Sequence, residues 1–288
     1  MKILTDCAAD LTPQEIETLD ITVAPLFIQF PDEEVNATQI APDDFYNRLR
    51  AMNPKIPTTA QPSAGIFSTL YQKLTDAGEA ILSIHISSGL SGTLHSARVG
   101  AEQTPKADIT LFDSMTLSGG QRYQVLAAAL AAKAGWAKET ILERLKQIRT
   151  STEIIYTLET LEYLAHGGRI GRIQALAGSL LKIKPVIRVD ETDGKYSTVG
   201  KARTLKSTMD MMTQHLLDKY GPETPVWVTV LHGQFADKAD AFAAQLSDTL
   251  NVAKLEIRRI SPVLGVHTGP GIVGASVLPM KMVSELLA

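Results

Sequence analysis

The first half of the chain repeats one pattern, in which a short apolar segment is followed by a polar or glycine-rich turn and then by an amphipathic segment. Residues 2–5, 80–86 and 109–112 are the apolar segments, and they predict strands. Strands that alternate with helices are typical of a mainly parallel sheet, whose ligands bind outside the carboxyl ends of the strands. We therefore expect the turns that begin at Ser87 and Ser118 to lie where such a ligand binds.

Hydrophobic periodicity and capping residues predict the other elements. The first helix begins after Thr12, with Pro13 at its first position and Glu15 at its third. Further helices are predicted over 42–52, 63–77, 93–103, 118–135, 138–150, 204–219 and 236–250. Further β segments are predicted over 21–30, 154–158, 185–189, 196–199, 226–231 and 254–260.

The pattern changes after residue 150, where Asp193-Gly194 between two β segments indicates an antiparallel hairpin. A chain of 288 residues is also longer than one typical core. We therefore predict an α/β protein of two domains with the ligand between them. Residues 1–150 form an α/β domain with a mainly parallel sheet, and residues 151–288 form an α/β domain with a mixed or antiparallel sheet.

Composition narrows the class of protein. The formal net charge is −3, from 28 basic and 31 acidic residues, which argues against broad binding to nucleic acid. Cys7 is the single cysteine, so the sequence contains no internal disulfide and suits a reducing compartment. No apolar stretch approaches the roughly 20 residues of a membrane span. We expect a cytoplasmic protein without stable membrane insertion.

Two hydroxyl-rich segments precede predicted helices. Residues 87–93 contain four hydroxyl side chains in Ser-Ser-Gly-Leu-Ser-Gly-Thr, and residues 58–63 read Thr-Thr-Ala-Gln-Pro-Ser. Hydroxyl groups and the free amides of a helix start bind anions well. The alternative is that Ser91 or Thr93 only caps its helix, and that Ser63 does the same in a rigid turn.

Basic side chains and a histidine occur in three other segments. His267 stands before Thr-Gly-Pro-Gly, whose glycines allow close approach of the backbone to a ligand. Arg203 follows the predicted hairpin, where it either pairs with an anion or ends a solvated strand. Residues 167–172, Gly-Gly-Arg-Ile-Gly-Arg, form either a loop that binds phosphate or a partner, or a tight interdomain turn.

Catalytic alternatives have weaker support in the sequence. Ser91, His267 and Asp113 are a candidate hydrolytic relay, but the Gly-x-Ser-x-Gly elbow is missing. The sequence also lacks the Walker A lysine motif and the Gly-x-Gly-x-x-Gly motif of nucleotide-binding proteins. The other histidines lack the spacing of metal ligands, so we expect neither a metal nor a cofactor. An anion-binding protein is favoured over a catalyst.

Taken together and in order, the motifs resemble those of the DegV family. They are Leu4-Thr5-Asp6, Pro25-Leu26, residues 59–63, residues 87–93, Leu161-Glu162-Tyr163-Leu164 with residues 167–172, Lys184-Pro185, Lys201-x-Arg203-Thr204 and residues 267–271. The match extends from residue 4 to about residue 274, which is nearly the whole chain.

The resemblance implies a non-catalytic carrier similar to the FakB subunits of bacterial fatty acid kinase. Such a carrier binds a long-chain fatty acid, and a separate kinase subunit phosphorylates the carboxyl group for phospholipid synthesis. By this resemblance Thr59, Ser91 and His267 bind the carboxylate, and Arg203 belongs to the same head-group region. Arg169 and Arg172 are then expected on or near the surface that meets the kinase.

The sequence departs from the usual family pattern at several positions. Ala60 replaces a serine, which removes one polar contact, and Cys7 also stands where serine is common. Leu94-His95 replace the more usual tyrosine and polar residue, and Gln121-Arg122 interrupt a stretch that is usually small and apolar. We expect Gln121-Arg122 to shorten or reshape the cavity for the tail. Two other functions stay open, an ester hydrolase that uses Ser91 and His267, and an interaction or regulatory module whose lipid is structural.

Overall fold

Three β-sheets form the framework of the protein. The computed structural model describes residues 1–75, 78–173 and 183–287. In chain order the strands are β1 Lys2–Asp6, β2 Ile21–Ala24, β3 Phe27–Gln29, β4 Glu34–Asn36, β5 Thr58–Ala60, β6 Ile81–His85, β7 Ile109–Asp113, β8 Glu153–Leu158, β9 Lys184–Val189, β10 Tyr196–Ala202, β11 Val226–His232, β12 Val252–Arg259 and β13 Ile272–Pro279.

The helices lie between and outside these sheets. They are α1 Pro13–Thr18, α2 Pro42–Ala51, α3 Ala64–Thr75, α4 Thr93–Glu102, α5 Ser118–Lys133, α6 Lys138–Ser151, α7 Glu162–His166, α8 Leu205–Tyr220, α9 Ala236–Thr249, α10 Pro262–Thr268 and α11 Ser284–Leu287. Short 3₁₀ turns occur at Cys7–Ala9, Gly171–Ile173 and Met280–Met282.

The two larger sheets differ in strand direction. The first has the order β2-β1-β6-β7, and each of its neighbouring pairs is parallel. The second has the order β10-β9-β8-β13-β11-β12, in which β11 and β12 are parallel and the other pairs antiparallel. A small antiparallel sheet has the order β4-β3-β5.

Both faces of each larger sheet pack against other elements. Successive side chains of a strand point to opposite faces, so neighbouring residues contact different elements. In the parallel sheet, Ile3 and Leu82 pack against α5 and α6, whereas Leu4 and Ile81 pack with side chains of α3 and α4. The outer face of the six-stranded sheet packs against α8 and α9. Helices α5 and α6 therefore lie between the two sheets.

Helix α5 joins the two sheets through polar contacts as well as apolar ones. Gln121 donates to the Thr5 hydroxyl of β1, at 3.1 Å. Two residues later, the Tyr123 hydroxyl lies 2.9 Å from Thr229 Oγ1 in β11 and donates to the Ser276 carbonyl in β13 at 3.0 Å. One helix is thus tied to both sheets.

Arg122 of α5 places a buried positive charge between the two larger sheets. Its guanidinium donates to Glu15 of α1 and to Glu256 of β12, at 2.9 Å for Nη1 to Glu256 Oε2, and it lies over the Trp227 ring. Burial alone would raise the pKa of Glu256, but the hydrogen bond from Arg122 lowers it to about 2. Gln121 and Arg122 therefore connect α5 to the two sheets. They do not line the apolar cavity described below, contrary to our expectation.

Most of the architecture agrees with the sequence predictions. The α/β class with one parallel and one mixed sheet is confirmed, and Thr12 and Glu15 form the predicted capping box of α1. The hairpin turns at Gly194, whose φ of 65° suits glycine. The predicted helix over 63–77 extends to residues 76 and 77, which lie outside the described residues. The predicted division at residue 150 falls near the end of α6 and remains a prediction.

The sequence analysis missed strand β13, which pairs with both β8 and β11 in the middle of the six-stranded sheet. Gly274, Ala275 and Ser276 interrupt the β-branched residues of this segment, and such small residues are less typical of a strand. A Cβ on Gly274 would lie 2.3 Å from the Tyr156 Cβ on β8. The glycine that weakened the sequence pattern is therefore required by the close approach of these two strands.

We expect Arg122→Ala to lower the free energy of unfolding by up to about 3–5 kcal/mol, because Glu15 and Glu256 would lose their most buried cationic partner and keep the less buried Arg258. Arg122→Met, which preserves most of the volume, should have a similar effect. Urea unfolding measures both variants. Lys206→Ala is the control, since its pair with Asp210 is exposed and should contribute no more than about 1 kcal/mol. Wild-type stability in Arg122→Met would contradict this role of Arg122.

Candidate functional site

An apolar cavity lies between the two larger sheets, beyond the amino end of α5. The space within it, including the part open to solvent, is about 700 Å³. Its apolar lining consists of Leu26, Ile86, Leu90, Leu117, Ile154, Ile155, Leu231, Ile260, Val263, Leu264 and Ile272. Its polar and aromatic lining consists of Thr59, Ser91, Ser118, Tyr156, Arg169, Tyr196, His267 and Thr268.

The parallel sheet contributes to this cavity through the segments that follow its strands. Leu26 follows β2, Ile86 follows β6, and Leu117 and Ser118 follow β7. These are the carboxyl ends of parallel strands, where ligands of α/β sheets bind. The expectation that the Ser87 and Ser118 turns lie at the carboxyl ends of strands is confirmed, and Ser118 itself lines the cavity.

A hydrogen bond between Thr59 and His267 marks one end of the cavity. Thr59 Oγ1 lies 2.8 Å from His267 Nε2, although the two residues are far apart in sequence. Thr59 is on β5, and His267 is in the last turn of α10, which begins at Pro262 and ends before Gly269. The φ of 71° at Gly269 stops the helix there and fixes the direction of the imidazole.

The environment keeps His267 neutral. Burial lowers its pKa to about 3, and the positive charge of Arg169 acts in the same direction. Its Nδ1 is buried and has no hydrogen-bond partner among the described residues. A Cβ on Gly167 would lie 2.2 Å from this Nδ1, so only glycine fits beside the ring.

Ser91 reaches the cavity from the loop between β6 and α4. Its Oγ lies 2.8 Å from Thr93 Oγ1 and accepts a hydrogen bond from the Thr93 amide at 3.3 Å. Ser91 thus contacts the first residue of α4, but the N-cap position is Gly92 and carries no side-chain cap, so the capping alternative is not confirmed, and Ser91 lines the cavity. The hydroxyls of Thr59 and Ser91 are thus brought to the same space as His267.

A polar cleft of about 600 Å³ adjoins this end of the cavity. The two spaces share Leu90, Ser91, Arg169 and Tyr196. The rest of the cleft is lined by Gly89, Gly92, Gly168, Gly171, Arg172 and Lys195. Its three basic side chains and its exposed glycine backbone are chemical groups that bind phosphate.

Arg169 stands between the apolar cavity and the polar cleft. Its Nη1 donates to the Gly167 carbonyl at 2.6 Å, which holds the side chain against the loop that also contacts His267. Arg172 lies further out and forms an exposed ion pair with Asp193. The segment over 167–172 thus presents one arginine at the cavity and one at the surface.

A comparison with known proteins places this geometry in a family. The family model described as an uncharacterised protein of the DegV family matches residues 1–280. A DegV domain-containing protein of Deinococcus radiodurans is 36% identical over 277 residues, which cover 96% of this chain and 95% of that protein. The chain belongs to the DegV family.

Solved structures of similar proteins share the fold. A fatty-acid-binding DegV family protein of Thermus thermophilus has a TM-score of 0.89 and 28% identity, covering 96% of this chain and 99% of that one. A stearic-acid-binding protein of Eubacterium ventriosum has a TM-score of 0.88 and 27% identity, covering 98% of this chain and 99% of that one. The resemblance inferred from the sequence motifs is therefore confirmed.

The structure of this DegV protein does not bring Arg203 to the cavity, where we expected it beside the head group. Tyr196, at the start of β10, lines the cavity, whereas Arg203 follows the last residue of the same strand. A strand rises about 3.3 Å per residue, so the two ends of β10 are about 20 Å apart. Arg203 is exposed and lines neither the cavity nor the adjoining cleft.

The hydrolytic relay is not assembled in this DegV structure. Among the residues that the structure describes, the His267 side chain hydrogen-bonds to Thr59 and the Ser91 side chain hydrogen-bonds to Thr93. Asp113 accepts instead from the Met115 amide of its own loop, at 2.9 Å, and from the Ser88 amide of the loop after β6, at 3.2 Å. Within residues 1–75, 78–173 and 183–287, no cluster of three or more His, Cys, Asp or Glu side chains is arranged to hold a metal, and no helix is long and apolar enough to cross a membrane.

Two tyrosines of the cavity escaped the sequence analysis. Tyr156 and Tyr196 stack edge to face, with ring centroids 6.0 Å apart. The Tyr156 hydroxyl is buried and finds no hydrogen-bond partner in the described parts of the chain. Ile154, Tyr156 and Leu158 lie on the same face of β8, because side chains two residues apart point to the same side of a strand. That spacing was the available sign that Tyr156 faces the interior.

We expect His267 to make the stability of this DegV protein fall on acidification. Because the folded pKa is about 3 and the ordinary value is 6.5, the unfolded chain takes up a proton that the folded chain does not between these pH values. The free energy of unfolding should fall by up to about 1.4 kcal/mol per pH unit from this side chain alone. His267→Gln should remove that part of the slope.

Urea unfolding of wild type and variant at several values between pH 7 and pH 5 measures the two slopes. Groups other than His267 titrate in both proteins and cancel in the difference. His95→Gln, at an exposed histidine, should keep the wild-type slope. Parallel profiles for wild type and His267→Gln would contradict a neutral, buried His267.

Proposed function

We propose that this DegV protein binds one long-chain fatty acid in its apolar cavity, with the carboxylate at Thr59, Ser91 and His267. The observation that carries the proposal is the hydrogen-bonded pair of Thr59 and His267 at one end of an otherwise apolar space. The fatty acid and stearic acid bound by the Thermus and Eubacterium relatives support the same class of ligand.

The chemistry of the cavity suits a carboxylate with an alkyl tail. Each methylene that leaves water for the apolar lining contributes about 0.8 kcal/mol, so the tail supplies most of the affinity. The carboxylate loses hydration on entry and needs hydrogen-bond donors in return. With the Nε2 tautomer, neutral His267 donates to Thr59 Oγ1 and leaves the Thr59 proton free for the carboxylate. Ser91 offers a second hydroxyl, and Arg169 offers a positive charge at the mouth.

We further propose that the bound carboxylate is presented through the polar cleft to a separate fatty acid kinase subunit. The cleft adjoins the carboxylate end and contains Arg169, Arg172 and Lys195, which suit a phosphoryl group. In that reaction a carboxylate oxygen would bond to the γ-phosphorus of ATP while the bond to ADP breaks. The DegV protein itself acts as a carrier without catalysis of its own. Since ATP and the kinase supply the chemistry, the complex would act in the cytoplasm, for phospholipid synthesis.

The first test of the carrier function is mass spectrometry of the organic extract from denatured protein, with fatty acid expected near one-to-one stoichiometry. Thr59→Val keeps the shape of the side chain and removes its hydroxyl, so we expect affinity for a fatty acid to fall by about 10- to 100-fold. Calorimetry or fluorescent displacement measures the change. Thr58→Val is the matched control, because Thr58 is the exposed neighbour on the same strand and should bind normally.

A fatty alcohol of the same length separates the head group from the tail. Thr59→Val should affect binding of the alcohol much less than binding of the acid, because the alcohol carries no charge to stabilise. Equal losses for both ligands would mean that Thr59 shapes the cavity and does not bind the carboxylate. Absence of any bound fatty acid in wild type, even after incubation with mixed fatty acids, would overturn the proposed function.

Arg172→Ala tests the presentation step. Arg172 lies in the polar cleft and outside the cavity, so fatty acid affinity should stay within about twofold of wild type. Acyl phosphate formation with a fatty acid kinase subunit and ATP, trapped by hydroxylamine, should fall by about tenfold or more as a charged contact is lost. Arg98→Ala, at an exposed arginine that does not line the cleft, is the control. Unchanged acyl phosphate formation in Arg172→Ala would contradict this docking surface.

A further inference from the structure

A second cavity lies on the other side of a thin wall from the apolar one. This outer cavity has a volume of about 1160 Å³, including the part open to solvent, and its lining includes Asp10 and Ser261. The segment that leads into α10 lines both spaces. Ile260, Val263 and Leu264 face the inner cavity, whereas Ser261 and Pro262 face the outer one. The two spaces are therefore separated by a single layer of residues at this point.

Polar groups join across that layer. Ser118, which lines the inner cavity, donates its hydroxyl to Asp10 Oδ2, and the Ser261 amide donates to Asp10 Oδ1 at 2.9 Å. The carboxylate of Asp10 thus connects the start of α5 to the start of α10. Burial raises the pKa of Asp10 to about 6, and the hydrogen bonds from Ser118 and Ser261 act in the opposite direction.

The backbone at this junction is held in an unusual conformation. Asp10 has a φ of 52° and Ser118 a φ of 51°, both in the left-handed region that residues other than glycine seldom adopt. Such conformations persist where the surrounding structure fixes them, and they concentrate at functional sites. Here the strained residues are the two that form the hydrogen bond across the wall.

The wall lies at the other end of α10 from the carboxylate site. His267 is in the last turn of α10 and Ser261 immediately precedes its first residue. Six residues of helix rise about 9 Å, so the helix runs from the polar end of the cavity to the wall. A methyl terminus that reaches the wall meets a paired carboxylate and hydroxyl, and it cannot replace their hydrogen bonds.

We infer that the Asp10–Ser118 pair, held by the Ser261 amide, is the end wall of the acyl-chain cavity and sets the longest chain that the protein binds. The inference rests on the proposed function and adds to it a determinant of ligand length. Without the pair, the inner space would open into the outer cavity. Longer alkyl chains would then continue into it.

A series of straight-chain saturated fatty acids of increasing length tests the wall in wild-type protein. Affinity should rise by about fourfold for each methylene while the chain fits the cavity, and it should stop rising once the chain reaches the wall. In Ser118→Gly the break should move to a longer chain, because the hydroxyl is lost while glycine suits the left-handed backbone. Asp10→Gly should move it in the same direction.

Asp20→Gly is the matched control, since Asp20 has a φ of 51° and is exposed, with its carboxylate paired to Lys2 at the surface. Its break should coincide with that of wild type. Thermal unfolding of each variant verifies the fold, and if Asp10→Gly does not fold, Ser118→Gly and the wild-type series decide the question.

Three outcomes would overturn the inference. Affinity that rises without a break in wild type, or a break at the same length in wild type and in Ser118→Gly, would overturn the wall and leave the carrier function intact. If wild type binds no fatty acid of any length, the proposed function fails, and the inference about chain length fails with it.

Discussion

The site of this protein depends on a helix that is held between two sheets. Two sheets that pack face to face lie about 10 Å apart. A helix inserted between them increases that separation by about its own diameter, which is about 10 Å with side chains. Because α5 is inserted between them, the parallel and six-stranded sheets are kept apart, and the space beyond its amino end at Ser118 stays open. The buried ion network of Arg122 and the hydroxyl of Tyr123 hold the helix in this position. The cavity is thus the part of the gap between the sheets that α5 does not fill.

The fold was largely predictable from local pattern, because alternating strands and helices with capped starts leave few topologies open. The candidate site was predictable only in part. Ser91 and His267 lie beside glycines in a turn and at a helix end, and Thr59 lies on a short strand between two prolines, and all three line the same cavity. Arg203 stands in a motif of similar appearance, yet it occupies the opposite end of a strand from the cavity. Which end of a strand lies at the cavity depends on how the strand pairs within its sheet, and the local sequence does not give that pairing.

Buried polar residues were the other limit of sequence analysis. Gln121 and Arg122 looked like insertions into an apolar tail cavity, whereas their partners come from β1, α1 and β12. Tyr156 lines the cavity and packs against Tyr196, on a strand that otherwise looks like ordinary core. In each case the role depends on partners more than 20 residues away in the sequence. Local propensity contains no information about such partners.

The hydrogen bond between Thr59 and His267 joins residues 208 positions apart. Closing a loop of this length costs conformational entropy, so the contact depends on the rest of the fold to hold the two segments close together. A chain in which only the separate sheets have formed therefore lacks the pair of Thr59 and His267. Ligand binding can then act only on the completed fold, and it draws the folding equilibrium toward that state by mass action. Ligand binding and folding stability are in this way thermodynamically linked.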